Sequence, residues 1–215
     1  MARLYHCTDA TERSTGLREA ASAVRRGELV VLPTDTVYGV GADAFSPEAV
    51  GDLLAAKGRG RDMPTPVLIG SPQTLHGLVT DFGQQAWDLV DAFWPGALTV
   101  VARHQPSLTW DLGDSHGTVA VRMPLHPVAI ELLNDVGPMA VSSANLSGHP
   151  APQDCDAARE MLGDSVSVYL DAGPTPSPVA SSIVDVTGAV PRLLRAGALD
   201  VEELRTVVPE LEVSS

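Results

Sequence analysis

The hydrophobic pattern is clearest at an apolar run, residues 29–32, that stops at Pro33. A short continuous apolar run predicts a buried strand, and Pro33 predicts its end because proline has no N–H for a central ladder. Small polar residues follow at 34–36, at the carboxyl end of that strand, where open α/β sheets bind ligands. Ser46-Pro47 then predicts a helix start, and Gly58 predicts where that helix ends.

Similar signals alternate along the rest of the chain. They predict further strands at 66–69, 97–102, 118–123, 138–141, 166–170, 183–186 and 192–194. They predict further helices at 16–26, 84–93, 128–133, 154–162 and 200–207, with a short one after Ser71-Pro72. Alternating strands and helices favour an α/β fold. We expect one domain, 1–207, followed by an acidic tail, 208–215, that is frayed.

The composition predicts a globular chain with an acidic surface. Hydrophobic residues make up 44% of the 215 residues, which is enough for a core, and the formal net charge is −13. This charge argues against polyanion binding by the whole surface, but it leaves room for a local basic groove. Two cysteines offer no disulfide framework, and neither an export signal nor a run of about 18 apolar residues is visible. We therefore expect a cytoplasmic protein that does not contact membranes.

The candidate chemistry is carried by cations. Lys57 is the only lysine among 14 basic residues, and it stands close to Arg59 and Arg61 at the end of a predicted helix. A compact ammonium in this place indicates an anion site, but the preference of helix C-termini for positive charge explains it equally well. Arg122 lies on a half-buried predicted strand and needs an anionic partner, which is either internal or a ligand.

Several common sites are missing from the sequence. There is no GxxxxGK[ST] P-loop and no GxSxG nucleophile elbow, and none of the six histidines has the spacing of a metal site, so no protein metal cage is expected. Segment 39–44 matches a dinucleotide fingerprint only formally, because the next helix starts as late as Pro47. Ser142 and Ser143 have no base at a diagnostic spacing, so we favour them as hydrogen-bond donors.

Seven sequence blocks carry a family resemblance. They are PTDTVYGVGADA (33–44), KGR (57–59), FWPGALT (93–99), VAVRMP (119–124), SSANLSG (142–148), SSIVD (181–185) and LLRAG (193–197). In these blocks and their order the chain resembles the YrdC/TsaC family, the L-threonylcarbamoyladenylate synthases. PTDTVYG, KGR and SSANLSG are specific in combination, and the resemblance covers nearly the whole chain. Because the chain ends soon after LLRAG, it is similar to the short, stand-alone type.

The resemblance implies a fold and a reaction. The fold would be a single α/β domain with a twisted mixed parallel/antiparallel sheet, flanking helices and a concave basic cavity. The reaction would join L-threonine, bicarbonate or CO₂, and ATP into threonylcarbamoyl-AMP, with release of pyrophosphate and with Mg²⁺ carried by the ATP. A downstream enzyme would then pass the threonylcarbamoyl group to tRNA, which makes this the first step of N6-threonylcarbamoyladenosine formation.

The resemblance also implies site residues by position. The threonine site would consist of Thr34, Arg122, Ser142 and Ser181, with Tyr38 as a wall of the pocket. The ATP site would consist of Lys57, Arg59, Thr118, Ala144, Asn145 and Arg195, and Arg61 is added on its charge alone. Lys57 and Arg59 would be catalytic by neutralising phosphate oxygens, and no general base is expected.

The chain departs from the family pattern at Gly60, at Thr65-Pro66, which interrupts the block, and at Leu68, and two other functions stay open. Gly60 replaces a common proline, and Leu68 stands where many members have a histidine, so a histidine contact to threonine cannot be carried over. One alternative function is an RNA-binding or ribosome-associated module of the same fold, against which the charge of −13 argues. The other is a paralogue that uses another carbamoyl acceptor or nucleotide substrate.

Overall fold

The structure, a computed structural model, describes residues 2–176 and 178–213. Its helices are α1 (Ala10–Arg25), α2 (Pro47–Ala56), α3 (Leu75–Leu78), α4 (Gln84–Phe93), α5 (Pro127–Val136), α6 (Cys155–Leu162) and α7 (Val201–Arg205). Its strands are β1 (Arg3–His6), β2 (Val30–Leu32), β3 (Gly39–Asp43), β4 (Val67–Leu68), β5 (Val79–Thr80), β6 (Leu98–His104), β7 (Thr118–Arg122), β8 (Met139–Ser143), β9 (Val168–Asp171), β10 (Ser182–Asp185), β11 (Arg192–Arg195) and β12 (Glu212–Val213). Within these described residues, no helix has the length and apolar character that crossing a membrane requires.

All of these strands belong to one mixed sheet. Its order is β1-β9-β2-β3-β8-β4-β7-β6-β10-β11-β12, and β5 pairs with β6 outside this path. β9 runs parallel to β1 and β2, whereas β3 runs antiparallel to β2 and β8. β4 pairs with β7 and β6 with β10 in parallel, and β6 and β7 are antiparallel. The predicted class, an α/β domain with a mixed sheet and flanking helices, is confirmed.

Strand β2 shows why helices cover both faces of this part of the sheet. Successive side chains of a strand point to opposite faces. Val30 and Leu32 pack in a cluster with residues of α1 and α5, whereas Val31 packs in another cluster with residues of α2 and α6. A strand that is buried on both faces is apolar throughout, which is why the run 29–32 is visible in the sequence.

The same alternation on β6 and β7 places the candidate site. Val100 and Val121 pack with residues of α3 and α4 in the largest hydrophobic cluster. Thr99 on β6 and both Ala120 and Arg122 on β7 therefore point to the opposite face, and all three line a cavity there. The sheet thus presents a helix-packed side and a side that is available for ligands.

Strand β3 was not predicted, because its glycines hide the apolar pattern of a strand. A Cβ atom at Gly39 would lie 2.7 Å from Val141 Cγ1, and one at Gly41 would lie 2.9 Å from both Met139 and Val141 atoms. Glycine therefore lets β8 pack closely across β3. By contrast, α4 spans the predicted residues 84–93, and the Ser46 hydroxyl caps α2 by accepting a hydrogen bond from Ala49 N at 3.2 Å.

The expectation of a frayed tail does not hold for residues 208–213. Val208 and Leu211 are buried in the largest hydrophobic cluster, and β12 pairs in parallel with β11. The physical reason is that Val208 and Leu211, which follow α7 three residues apart, both bury their apolar side chains in the core. Residues 214 and 215 of the predicted tail lie outside the described residues.

Candidate active site

A cavity of about 420 Å³ lies against seven neighbouring strands, from β3 to β11 in the sheet order. Its polar lining consists of Thr34, Thr36, Arg59, Thr99, Arg122, Ser142, Ser143, Ser181 and Arg195. Its larger aliphatic side chains are Val37, Leu68, Val101, Val141, Ile183 and Leu194. Among the lining residues in the described chain there is no aspartate or glutamate. Three arginines without a carboxylate in the wall make this cavity electropositive, although the whole chain is acidic.

Arg122 is the most deeply buried of these cations, and its guanidinium is held from three sides. Nε donates to the Gly96 carbonyl at 2.8 Å, Nη1 donates to Thr36 Oγ1 at 2.9 Å, and Nη2 donates to Asp35 Oδ1 at 2.6 Å. The internal anionic partner that the sequence required is therefore Asp35. Burial lowers the pKa of Arg122, and the Asp35 carboxylate opposes that shift. A guanidinium has five N–H groups, so two remain for a ligand.

The hydroxyl groups of Thr34 and Thr36 form a directed chain beside Arg122. Thr34 Oγ1 donates to the Val37 carbonyl at 2.6 Å, so its single hydrogen is used. Thr36 Oγ1, which lies 3.1 Å away, must then donate to Thr34 Oγ1. Thr36 N also donates to Thr34 Oγ1 at 3.1 Å. The predicted ligand residue Thr34 lines the cavity, but its hydroxyl is already fully engaged inside the protein.

Arg59, predicted for the ATP site, and Ser142, predicted for the threonine site, are neighbours on the cavity wall. Arg59 Nη1 donates to Ser142 Oγ at 3.0 Å, and Arg59 forms no ion pair with any described residue. Its Nε is buried and has no hydrogen-bond partner in the described chain. Burial lowers the pKa of Arg59, and the Asp62 carboxylate opposes that shift without forming an ion pair with Arg59. Such a cation favours an anionic ligand.

Arg195 holds Ser181 on the other side of the cavity. Its Nη2 donates to the Ser181 carbonyl at 2.7 Å and lies 3.2 Å from Ser181 Oγ, and Nε donates to the same carbonyl at 3.0 Å. Ser181 Oγ and Thr99 Oγ1 are 2.8 Å apart. Burial alone lowers the pKa of Arg195, and no carboxylate of the described chain pairs with it. Arg195 is therefore a second uncompensated cation.

Lys57 is buried behind the cavity wall and does not line the cavity. Its ammonium donates to the carbonyl oxygens of Ser143 and Asn145, the latter at 2.7 Å. Burial and the nearby Arg59 lower the pKa of Lys57 to about 8. Lys57 thus joins the end of α2 to the loop that follows β8, and it supports the wall formed by Ser142 and Ser143.

Two predicted site residues are placed elsewhere. Tyr38 is fully buried and does not wall the cavity, because its hydroxyl donates to the Gly173 carbonyl at 2.6 Å and lies 3.3 Å from Asp171. Arg61 is exposed and pairs with Asp111 at 2.7 Å, so its charge is compensated by its own surface. Burial raises the pKa of Tyr38, which keeps its hydroxyl protonated as a structural donor.

The remaining predicted ATP residues lie next to the cavity lining. Thr118 is on the same face of β7 as Ala120 and Arg122, and its hydroxyl donates to the Ser115 carbonyl at 2.8 Å. Ala144 is fully buried in the core. Asn145 Nδ2 donates to the carbonyls of Leu146 and His149, and Asn145 Oδ1 has no partner in the described chain. Ala144 and Asn145 therefore shape the loop above Lys57.

Sequence reasoning missed two polar residues of the cavity. Thr36 bonds Arg122, and Thr99 bonds Ser181. The signal for Thr99 was present: it is a buried threonine on an apolar strand, and it alternates with Leu98 and Val100. Thr36 could be noticed only as part of the polar run after β2, because its partner is 86 residues away.

A second, wider groove of about 590 Å³ carries no comparable chemistry. It lies between the ends of α1 and α2, and Arg26 is its cation. Glu28 neutralises Arg26 through two hydrogen bonds of 2.8 and 2.9 Å. The uncompensated cations lie in the smaller cavity, which we therefore take as the candidate site.

Fold and cavity together define a class of protein. An α/β domain that gathers hydroxyl groups and arginines, two of them without an ion pair in the described chain, in one cavity is suited to small anionic ligands. The chain belongs to the Sua5/YciO/YrdC family, because the sequence profile of that family, described as "Telomere recombination", matches residues 22–197.

Individual relatives support the same assignment. A Mycobacterium tuberculosis protein, provisionally named a threonylcarbamoyl-AMP synthase, is 59% identical over 97% of this chain and 96% of its own length. The threonylcarbamoyl-AMP synthase of Bacillus subtilis is 37% identical over 92% of this chain and 58% of its own.

Solved structures agree with the fold. Pyrococcus abyssi Sua5, complexed with L-threonine, superposes with a TM-score of 0.92 at 35% identity over all of this chain. This chain spans 62% of that protein, so it corresponds to less than two thirds of it. Escherichia coli YciO superposes with a TM-score of 0.83 at 20% identity over 95% of this chain, which is a likeness of fold.

Proposed function

We propose that this chain is a threonylcarbamoyl-AMP synthase. It would condense L-threonine, bicarbonate or CO₂, and ATP, and release pyrophosphate. The observation that carries the proposal is the division of charge in one cavity: Arg122 forms an ion pair with Asp35, whereas Arg59 and Arg195 form none with the residues that the structure describes. Relatives that bear this name, and the structure of Pyrococcus abyssi Sua5 with L-threonine, support the choice.

The Arg122 end of the cavity suits the amino acid. Two N–H groups of a buried guanidinium can bind a carboxylate as a charge-assisted fork. Leu68 lies next to Arg122 in the register of β4 and β7, so an apolar surface adjoins the carboxylate site. Such a surface would accept the methyl group of a threonine side chain. The threonine hydroxyl would bond to Ser142 or Ser181 across the cavity.

The other two arginines of the cavity lining, Arg59 and Arg195, suit the triphosphate. Arg59 and Arg195 would neutralise phosphate oxygens as negative charge develops on the leaving pyrophosphate. Val101, Ala120 and Ile183 provide an apolar face that fits a nucleobase. Because the described lining offers no carboxylate, Mg²⁺ would be held by phosphate oxygens, water and hydroxyl groups such as Ser143, in line with its preference for oxygen ligands.

The proposed chemistry demands positioning more than proton transfer. The threonine amine would attack CO₂ to give a carbamate, and a carbamate oxygen would displace pyrophosphate from the α-phosphorus. Neither step forms a covalent bond to the protein. The cavity wall supplies arginines and hydroxyl groups that can hold the two reactants in line, which is the main contribution a protein makes to such a transfer.

The wider setting is part of the proposal. The product would be consumed by a downstream enzyme that transfers the threonylcarbamoyl group to tRNA. We place the protein in the cytoplasm, since its two cysteines, Cys7 and Cys155, are free and buried, as expected in a reducing compartment. Direct RNA binding would be weak, because the chain carries a net charge of −13.

The test is pyrophosphate release from ATP, bicarbonate and Mg²⁺, with and without L-threonine. We expect release that depends on threonine. Arg195→Met should lower kcat/KM for ATP at least tenfold, as loss of one charge-assisted bond predicts. Arg192→Met is the matched control on the same strand, because Arg192 is exposed and pairs with Asp185; it should stay within about twofold. Release without threonine would indicate another acceptor, and no release from folded protein would favour the RNA-binding alternative.

A further inference from the structure

Asp35 lies outside the cavity lining, yet it contacts the residue that matters most at the amino-acid end. Its Oδ1 accepts two hydrogen bonds, one from Arg122 Nη2 at 2.6 Å and one from Leu125 N at 2.9 Å. The side chains of Asp35 and Arg122 are only 14% and 8% exposed. This is the most buried of the ion pairs observed among the described residues.

The Leu125 amide fixes the position of the carboxylate. Leu125 follows the end of β7 by three residues, so Asp35 joins the loop after β2 to the loop after β7. Arg122 also lies near Arg195, which disfavours its charge, and Asp35 compensates for that repulsion. Without Asp35, the guanidinium would keep its bonds to Gly96 and Thr36 but lose the partner of Nη2.

We propose that Asp35 is a positioning residue for substrate selection: by fixing Arg122 Nη2, it directs the two remaining N–H groups of Arg122 into the cavity as a carboxylate fork. The proposal rests on the proposed function, since it names what selects the carboxylate of the amino acid. Both donors bind the same oxygen, Oδ1, so the geometry of that oxygen, rather than the charge alone, sets the orientation of the guanidinium.

This role separates two substitutions of Asp35. In Asp35→Asn the amide oxygen can still accept from Arg122 and Leu125. The reversed amide orientation is disfavoured, because it would place the NH₂ group against two N–H donors. In Asp35→Ala both donors lose their acceptor. Asp185→Ala is the matched control: Asp185 is 16% exposed, bonds Arg192 at 3.3 Å and accepts from Thr187 N at 2.9 Å, and it does not line the cavity.

The experiment compares L-threonine with L-threonine amide, which lacks the carboxylate. Binding of each is measured by calorimetry, and each is used as acceptor in pyrophosphate release. We expect Asp35→Ala to weaken threonine about tenfold or more while the KM for ATP stays within about twofold, so that the preference for threonine over its amide collapses. Asp35→Asn should keep most of that preference, and Asp185→Ala should keep all of it.

Three results would overturn the proposal. An Asp35→Ala protein that keeps its preference for the carboxylate would show that Asp35 is merely structural. Equal loss in Asp35→Asn and Asp35→Ala would show that charge alone acts. A parallel rise in the KM for ATP would show general damage to the cavity. If the wild-type protein binds threonine in preference to its amide but releases no pyrophosphate, the proposed function fails while the role of Asp35 is still tested by calorimetry.

Discussion

Lys57 is buried at the end of α2, and its ammonium donates to two carbonyl oxygens, one at the last residue of β8 and one in the loop that follows. The sequence pointed to this residue, because a compact ammonium stood alone among arginines. It did not show that the charge faces the protein rather than the cavity, since Ser143 and Asn145 are 86 and 88 residues away. The proposed role of Lys57 is therefore to hold the wall that carries Ser142 and Ser143.

The pKa of Lys57, lowered to about 8 by burial and by Arg59, makes this role testable by pH. Activity that needs the ammonium should fall as the pH rises through about 8. Stability should change in the opposite direction: between about pH 8 and 10.5 the unfolded chain binds a proton that the folded chain does not, so the free energy of unfolding rises with pH.

The measurement is the pH profile of kcat/KM together with urea unfolding from pH 7 to 10.5. Lys57→Met should be less active at pH 7 and should lose both pH dependences. Lys57→Arg keeps the charge at all these pH values, so it separates charge from shape. If kcat/KM falls through pH 8 in Lys57→Met just as it does in the wild-type protein, the titrating group is not Lys57.

Arg59 and Arg61 are two residues apart, and the structure gives them different surroundings. Arg59 faces the cavity and forms no ion pair with the described part of the chain, whereas Arg61 is exposed and pairs with Asp111. Arg59→Met should raise the KM for ATP about tenfold or more, as loss of a charge-assisted bond predicts, and Arg61→Met should change it by less than about twofold. Steady-state kinetics at fixed threonine checks both variants. Equal increases in the KM for ATP in the two variants would indicate that Arg61 belongs to the ATP site, as its charge alone had suggested.

At the scale of elements, the loop 111–114 supports the segment that carries Arg59. Asp114 N donates to the Arg61 carbonyl at 2.8 Å, and Thr65 N donates to the Leu112 carbonyl at 2.9 Å. Gly113 makes the close approach possible: its φ is +102°, and a Cβ atom there would lie 2.8 Å from the Arg61 carbonyl oxygen. The loop and the cation segment therefore behave as one unit.

We expect Gly113→Ala to weaken the contact between the loop 111–114 and the segment that carries Arg59. The left-handed φ and the clash together should cost about 1–3 kcal/mol of stability and raise the KM for ATP, because Arg59 loses support. Gly117→Ala is the control: its φ is +82°, but nothing lies within 4 Å of a Cβ atom there, so it has the backbone strain without the clash. Thermal melts and ATP kinetics compare the two. A Gly113→Ala protein no worse than Gly117→Ala would refute the coupling of the loops.

Elements with local signals could be predicted from the sequence, and those without such signals could not. The Ser46 cap and the apolar periodicity of 84–93 were sufficient for α2 and α4. Strand β3 lacked a signal because Gly39 and Gly41 fill positions where a Cβ atom would meet β8. The order of the strands in the sheet could not be predicted either, because β8 lies between β3 and β4 although it is distant from both in sequence.

At the scale of the whole molecule, the C-terminal segment belongs to the core. Leu211 is 2% exposed in the largest hydrophobic cluster, whereas Val213 on β12 is 50% exposed. Leu211→Ala should lower the free energy of unfolding by about 2–5 kcal/mol, and Val213→Ala should change it by less than about 0.5 kcal/mol. Urea denaturation checks both. If Leu211→Ala leaves the free energy of unfolding unchanged, this segment is frayed, as the acidic sequence had suggested.

The distribution of charge also belongs to this scale. A chain with a net charge of −13 collects Arg59, Arg122 and Arg195 in one cavity whose described lining has no carboxylate. The sequence indicated that such convergence was possible, and the resemblance supplied the positions. Only the folded sheet shows that Arg122 is the arginine of the three with an ion pair among the described residues, because its partner is 87 residues away.

The central claim is that one cavity joins threonine, inorganic carbon and ATP. The most direct test is mass spectrometry of the nucleotide product formed from ATP, L-threonine and ¹³C-labelled bicarbonate. We expect threonylcarbamoyl-AMP that carries the heavy carbon, formed in proportion to released pyrophosphate and missing when threonine is left out. An adenylate without the label, or pyrophosphate released with AMP alone as its partner, would contradict the proposed reaction.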